Sequence, residues 1–368
     1  MKYGQLVALV LFFVQVELKA QTSTQAIGMT YLGGNIFMHT PKIHVKQPPY
    51  SQAIEITYAY QTRGKKPWHQ LFGFPEAALN VCLAQNGSSD LGWSYGLYPS
   101  IRFKAISFKQ SYVFWKIGGG IGYSTKHWER TPYQDSVNNI LGSAMNNFTM
   151  IQMGYRTKIT NNLSLEAGVF FHHVSNAAAR SPNFGINTYG GLIGLHYHPQ
   201  GFQFNYAKKE WPTSKQPIQL VSKVAISFSE EKISNGPIYA AYNFTLAGSK
   251  MIRNKSRLML GADLTYHAKL YALYKNNQLF PGSEKLHALR SSVFAGNEFV
   301  FGKIGLPLQL GMYLNRPIQG PKIYQKLGMN YHFYHDNQQV VKDLFLILQL
   351  KTHLAQAEYA EFGIGMML

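Results

Sequence analysis

A two-residue periodicity runs through this 368-residue chain and limits its fold more than any other feature. Near the C-terminus Leu344, Leu346, Leu348 and Leu350 fall on one face, with Gln349, Lys351 and His353 on the other. Beyond them Ala360, Phe362, Ile364, Met366 and Leu368 alternate with Glu361, Gly363 and Gly365. Side chains two apart share a face only in a strand. Sixteen segments of this kind are found, among them 76–85, 162–175, 187–198 and 289–301, separated by Gly, Pro, Asn or charged clusters. The chain therefore reads as all-β and antiparallel. Residues 134–145 read as a short helix or, equally, as loop.

A water-soluble sandwich would also alternate, with core inside and solvent outside. A secretory leader, the length and the strand number favour a barrel instead. Residues 1–20 have the form of a signal peptide: Lys2, the apolar run Leu6 to Val16, and the small Ala20. That run is too short to cross a bilayer as a helix, and no later run reaches about eighteen apolar residues. Any crossing must be made by strands. The mean hydropathy of −0.16, the 14% aromatic content, the 33 glycines and only 14% charged residues suit a barrel whose polar lumen dilutes a lipid-facing belt. The expectation is a transmembrane antiparallel β-barrel of about 14–16 strands in the bacterial outer membrane, closed as one ring. A separate eight-stranded N-terminal barrel with an appended C-terminal β unit is the alternative. With the N-terminus in the periplasm, odd strands run outward. The Asn176–Ile186 connection and residues 126–145 then lie outside, and 199–219, with Lys208, Lys209, Pro212 and Pro217, lies in the periplasm.

The formal charge is +18, and loss of Lys2, Glu17 and Lys19 with the leader would leave +17. Such a surface suits a polyanion. Export, and the lack of a basic repeat interleaved with aromatics, argue against nucleic acid. Phosphorylated lipid head groups fit better, at roughly 1 kcal/mol per Lys or Arg near an anionic surface. Solvated loop charge is the plainer reading. The single Cys82 excludes an internal disulfide framework and lies too far from the leader to be an acylation site. No organic cofactor, metal set or protein partner is suggested.

Chemistry concentrates in the run FFHHVSNAAARSPNFGIN. One face of its strand carries Leu163, Leu165, Ala167, Val169 and Phe171, then His173 and Ser175. In a barrel this apolar row faces lipid, so a base and a hydroxyl end it at the outer membrane boundary. Their Cα atoms are roughly 6.5–7 Å apart by strand rise, close enough for imidazole and hydroxyl to meet with slight bending. The ring would take the Ser175 proton during attack on an ester carbonyl. Asn187, on the returning strand, shares the outward face with Tyr189, Gly191, Ile193, Leu195 and Tyr197. Asn176 and the amides of Ala177 and Ala178 are candidate oxyanion donors. The small Ala177-Ala178-Ala179 run leaves room for an acyl chain or sugar, Arg180 suits a phosphate, and Pro182, Asn183 and Gly185 form turns.

The run His173-Val174-Ser175-Asn176-Ala177, with Pro182-Asn183 and Gly185, resembles the signature of the lipid A 3-O-deacylase (PagL) family. Members of that family are outer-membrane barrels that remove an ester-linked acyl chain from lipid A. The resemblance is specific over about fifteen residues. It implies that 21–198 is the shared deacylase part and that 199–368 adds further barrel strands, as in longer homologues labelled acyloxyacyl hydrolase-like. It implies Ser175 as nucleophile, His173 as base, and Asn176 with neighbouring amides as oxyanion hole. Its third catalytic member, a Glu, falls at Asn187. An amide can orient the ring but cannot stabilise imidazolium by charge; in serine proteases the acid-to-amide change costs about 10⁴ in rate. Glu129 or Asp135 are acids that a loop might supply, whereas Glu166 lies on the opposite face of its strand.

Other matches are weaker. Gly92-Trp93-Ser94-Tyr95-Gly96 satisfies the G-x-S-x-G pattern, but a strand with Pro99 follows in place of a helix. His196 and His198 sit near the other end of the barrel from His172, which suits lumenal packing better than a metal. Gly118 to Gly122 lacks the helix and Lys of a phosphate loop and reads as room for lumenal side chains. The functional expectation is a serine esterase acting on lipid A, lipopolysaccharide or a related membrane glycolipid. Its rivals are an anion-selective channel lined by Lys351, Gln349 and His353, and a lipopolysaccharide-binding barrel without turnover.

Overall fold

The computed structural model describes residues 25–129, 137–202, 211, 217–231, 236–315, 318, 320–336, 338–354 and 356–368. The leader, Asp135, Lys208, Lys209 and Pro212 lie outside the described residues. Among the described residues there are sixteen strands. The first eight are β1 (Gln25–Ile36), β2 (Ser51–Gln61), β3 (Glu76–Gln85), β4 (Trp93–Ser107), β5 (Ser111–Ser124), β6 (Met145–Lys158), β7 (Leu163–Ser175) and β8 (Ile186–Tyr197). The second eight are β9 (Gln219–Glu230), β10 (Ile238–Ile252), β11 (Ser256–His267), β12 (Leu289–Phe301), β13 (Ile304–Tyr313), β14 (Ile323–His335), β15 (Asp343–His353) and β16 (Gln356–Met367). Short helices sit in two connections: α1 (Pro67–Leu71), then α2 (Ala268–Asn276) and α3 (Glu284–His287). Residues 137–144 form turn and bridge, so the described part of 134–145 is loop.

The strands do not close as one ring. β8 pairs back onto β1, and β16 pairs back onto β9, giving two closed antiparallel barrels of eight strands. β9 to β16 thus build a cylinder of their own rather than widening the first. Alternation fixes which face a residue takes, but says nothing about which distant strand completes the ring. At the first seam Gly34 stands opposite Gly190. A Cβ on Gly34 would lie 2.0 Å from the Tyr189 carbonyl oxygen, and one on Gly190 would lie 2.0 Å from that of Gly33. Closure here needs backbones bare of side chains.

Eight strands leave an interior that side chains can fill. In the first barrel Lys116 Nζ lies 2.6 Å from Glu55 Oε1, and the Tyr98 hydroxyl also bonds Glu55. A second layer pairs Glu166 with Arg102 and Arg156, each at 2.8 Å. Above them Leu32, Phe148, Met150, Phe170 and Val174 form an apolar plug. In the second barrel Lys326 lies 2.9 Å from Asp263 and 3.0 Å from Glu361. Buried charge is tolerated there because Lys326 stands between two carboxylates. Lys351 donates to the Tyr359 hydroxyl at 3.0 Å, Gln349 donates to Asn330, and His353 reaches Glu358 at 2.9 Å. The rival channel reading has these three line an open lumen; they are instead engaged in internal pairing.

Outward positions carry a lipid-facing belt on both cylinders, from Met29, Val169 and Ile193 on the first to Leu260, Leu308 and Phe362 on the second. Phe103 and Phe301 break that pattern: both point outward, yet both are buried. Their rings meet at 5.9 Å, and Phe72 lies 4.1 Å from Phe301. This aromatic cluster joins the barrels at the end where β2 meets β3.

Candidate active site

β7 and β8 are neighbours, and their register places His173 directly opposite Asn187. Both point outward, as does Ser175 two positions on. His173 Nε2 lies 2.8 Å from Ser175 Oγ, and His173 Nδ1 lies 2.7 Å from Asn187 Oδ1. The three expected residues therefore form one continuous hydrogen-bonded line. The Asn187 carbonyl oxygen can only accept, so the ring carries its proton on Nδ1 and offers the Nε2 lone pair to the serine hydroxyl. The Asn187 amide nitrogen faces the Gly185 carbonyl at 3.4 Å and His39 Nδ1 at 3.3 Å, which directs its oxygen to the ring. Among the described residues no carboxylate bonds His173. Glu129 pairs with His127 at 3.5 Å, and Glu166 points into the lumen, bonded to the two arginines.

The connection after Ser175 is built to expose amides. Ala177 and Ala178 both adopt positive φ, 54° and 62°. They are the central residues of a turn closed by the Ala179 N–H donating to the Asn176 carbonyl at 3.0 Å, and successive amides of such a turn suit an anion. Neither amide donates to a group among the described residues. Asn176 differs from expectation: its backbone N–H is taken by Asn183 Oδ1 at 3.0 Å, and its side chain donates to Ser143 Oγ at 3.1 Å. Its backbone is thus a brace for the turn, which leaves Ala177 and Ala178 as the available donors. Phe184 and Gly185 donate to the Ile140 carbonyl at 2.9 and 3.3 Å, tying the loop to the β5–β6 connection. Gly185 takes φ +79°, and a Cβ there would fall 2.6 Å from His173 Cε1. Arg180 is not free for a phosphate: its Nη1 lies 3.1 Å from Glu230 Oε1 at the end of β9.

His39, Ser143 and Glu230 were not found by reading the sequence. They come from loops and a strand distant along the chain, and carry no motif. The weaker matches fall where packing places them. Ser94 is buried in the first barrel and bonded to Asn86, while Gly120 leaves room for Tyr98. His198 bonds Ser164 at 2.9 Å, and His172 packs between Phe148 and Phe170. Cys82 is buried in the first barrel.

A pair of transmembrane barrels, one bearing a Ser–His–Asn line on its lipid-facing rim, is the class that fold and site define. Residues 52–196 match the family model described as lipid A 3-O-deacylase (PagL), and residues 217–368 match that described as acyloxyacyl hydrolase, C-terminal domain. The two matches take in both cylinders, and the chain belongs to the lipid A 3-O-deacylase (PagL) family. Among solved structures it is similar to the outer membrane enzyme PagL, at 17% identity over 46% of this chain and 97% of that one, with a TM-score of 0.30. A TodX monoaromatic hydrocarbon channel mutant matches at 9% identity over 95% and 90% of the two chains, with a TM-score of 0.19. A Rh. blastica porin mutant matches at 8% over 93% and 99%, with a TM-score of 0.20. No curated protein matches the chain.

Proposed function

We propose that this protein is an outer-membrane serine esterase that removes an ester-linked acyl chain from lipid A or a related glycolipid. The observation that carries the reading is the 2.8 Å contact between the Ser175 hydroxyl and His173 Nε2 on a face turned to lipid. Ser175 Oγ attacks the ester carbonyl while His173 takes its proton. The Ala177 and Ala178 amides receive the oxyanion, each such donor being worth about 2.7–4 kcal/mol in the transition state. Collapse breaks the bond to the sugar oxygen, which leaves as a hydroxyl by taking from His173 the proton that came from Ser175. A water deprotonated by His173 then releases the fatty acid and restores the serine. Below the serine the exposed Ile117, Ile151, Val169 and Tyr189 offer an apolar strip for the acyl chain.

Mass spectrometry of lipid A tests this reading. Cells with the wild-type protein should lack one acyl chain that cells with Ser175→Ala retain; identical spectra would refute it. The absence of a carboxylate at His173 among the described residues favours a second reading, a lipopolysaccharide-binding barrel without turnover. Activity that arises only on Asn187→Glu would support that one.

A further inference from the structure

The first and second barrels meet at the outer rim through one carboxylate. Glu230, the last residue of β9, is almost fully buried although it ends a strand at the rim. Its Oε1 receives Arg180 Nη1 at 3.1 Å, and its Oε2 receives the backbone N–H of Ser181. Ser181 Oγ in turn donates to the Glu231 carbonyl at 3.0 Å. Behind this contact Lys269 of α2 donates to the Glu230 carbonyl at 3.1 Å and lies 3.5 Å from the Glu231 carboxylate. The second cylinder thus grips two consecutive residues of the loop that follows Ser175. On the loop's other flank Asn183 bridges to Leu141, and Phe184 and Gly185 donate to Ile140, so the first cylinder's own β5–β6 connection holds all three. Ala177 and Ala178 lie ahead of both holds, in a backbone conformation that residues with a Cβ adopt at a cost of about 1–3 kcal/mol each when nothing enforces it.

We infer that Glu230 is a positioning residue for the esterase site: through Arg180 and Ser181 it holds the Ala177 and Ala178 amides where the oxyanion forms. This rests on the esterase reading above. It gives the second barrel a role in the chemistry of the first, by bracing a loop it does not contain. A positioned donor acts on the transition state and not on bound substrate, so its loss lowers kcat and leaves KM nearly unchanged.

The full-length chain, purified and refolded in detergent, is assayed on lipid A for ester release. Glu230→Ala should lower kcat about tenfold to a hundredfold with KM within about twofold. The acid limb of the pH profile should stay in place, because His173, Ser175 and Asn187 are untouched. Glu230→Gln retains an acceptor for the Ser181 amide and should recover part of the rate. Should Glu230→Ala fail to fold, Arg180→Met removes one of the two bonds from the loop side and should lower kcat in the same direction by a smaller factor, above twofold. The double variant should lose no more than Glu230→Ala alone, since loss of the carboxylate already removes the Arg180 bond. A folded Glu230→Ala or Arg180→Met with kcat within twofold of wild type would overturn the inference, as would a double variant whose losses multiply. A wild-type chain that releases no acyl group, or one whose activity survives Ser175→Ala, would refute the esterase reading itself.

Discussion

The Asn187 carboxamide oxygen stands 2.7 Å from Nδ1 of His173, on the adjacent strand and at the same rung of the sheet. It sets the tautomer that a serine esterase needs, while supplying no negative charge. This separates orientation from electrostatics. Asn187→Ala removes the orienting acceptor and should lower kcat/KM by about a hundredfold or more. Steady-state hydrolysis of lipid A by the purified variant is the check.

Asn187→Glu should raise the rate, because a carboxylate stabilises the imidazolium formed during attack. The sign of the accompanying pH change follows from the same charge. A carboxylate favours the protonated ring, whereas the base must be neutral to accept a proton. The acid limb of the kcat/KM profile should therefore move to higher pH as the plateau rises. A higher plateau with the limb moved to lower pH would contradict this account.

His39 accepts from the Asn187 amide nitrogen at 3.3 Å and so helps hold the carboxamide in its useful orientation. His39→Leu leaves only the longer contact to Gly185. The expected loss is about threefold to tenfold in kcat, in keeping with one weak neutral hydrogen bond of ~1 kcal/mol. His39→Asn, which keeps an acceptor near that point, should lose less.

Gly185→Ala combines two faults. The residue sits at φ +79°, and its new methyl would fall 2.6 Å from the His173 ring. The backbone term costs about 1 kcal/mol, and the contact forces the ring away from Ser175. Activity should fall by more than tenfold while the barrel remains folded. Infrared amide bands and gel mobility of unheated samples would establish the folded state.

The lumenal ions predict both stability and the lack of a pore. Glu166→Ala would leave Arg102 and Arg156 to share the single carboxylate of Glu76 in the interior of the first barrel. Breaking such a buried group typically costs about 3–5 kcal/mol, visible as a lower urea midpoint in lipid vesicles. The wild-type chain in planar bilayers should give no steady conductance, since both cylinders are filled. Stable current steps would contradict the packing.

The strands were legible because period-two alternation is a local signal, and turn residues punctuated it: 76–85 and 289–301 coincide with β3 and β12 to the residue. The line of Ser175, His173 and Asn187 was legible for the same reason, since parity puts all three on one face. What stayed hidden depends on long-range pairing. The choice between one ring and two turns on β1 finding β8, where Gly34 and Gly190 let the backbones meet. His39 and Glu230 reach the site from 148 and about 50 residues away in sequence, and neither lies in a recognisable pattern.

Contacts at opposite rims have a mechanical consequence. Phe72 packs on Phe301 at one rim, and Arg180 meets Glu230 at the other. Two such fastenings oppose rolling of either cylinder about its own axis. The Ser175 hydroxyl then keeps one compass heading relative to the second cylinder, and its lipid-facing flank is fixed with it.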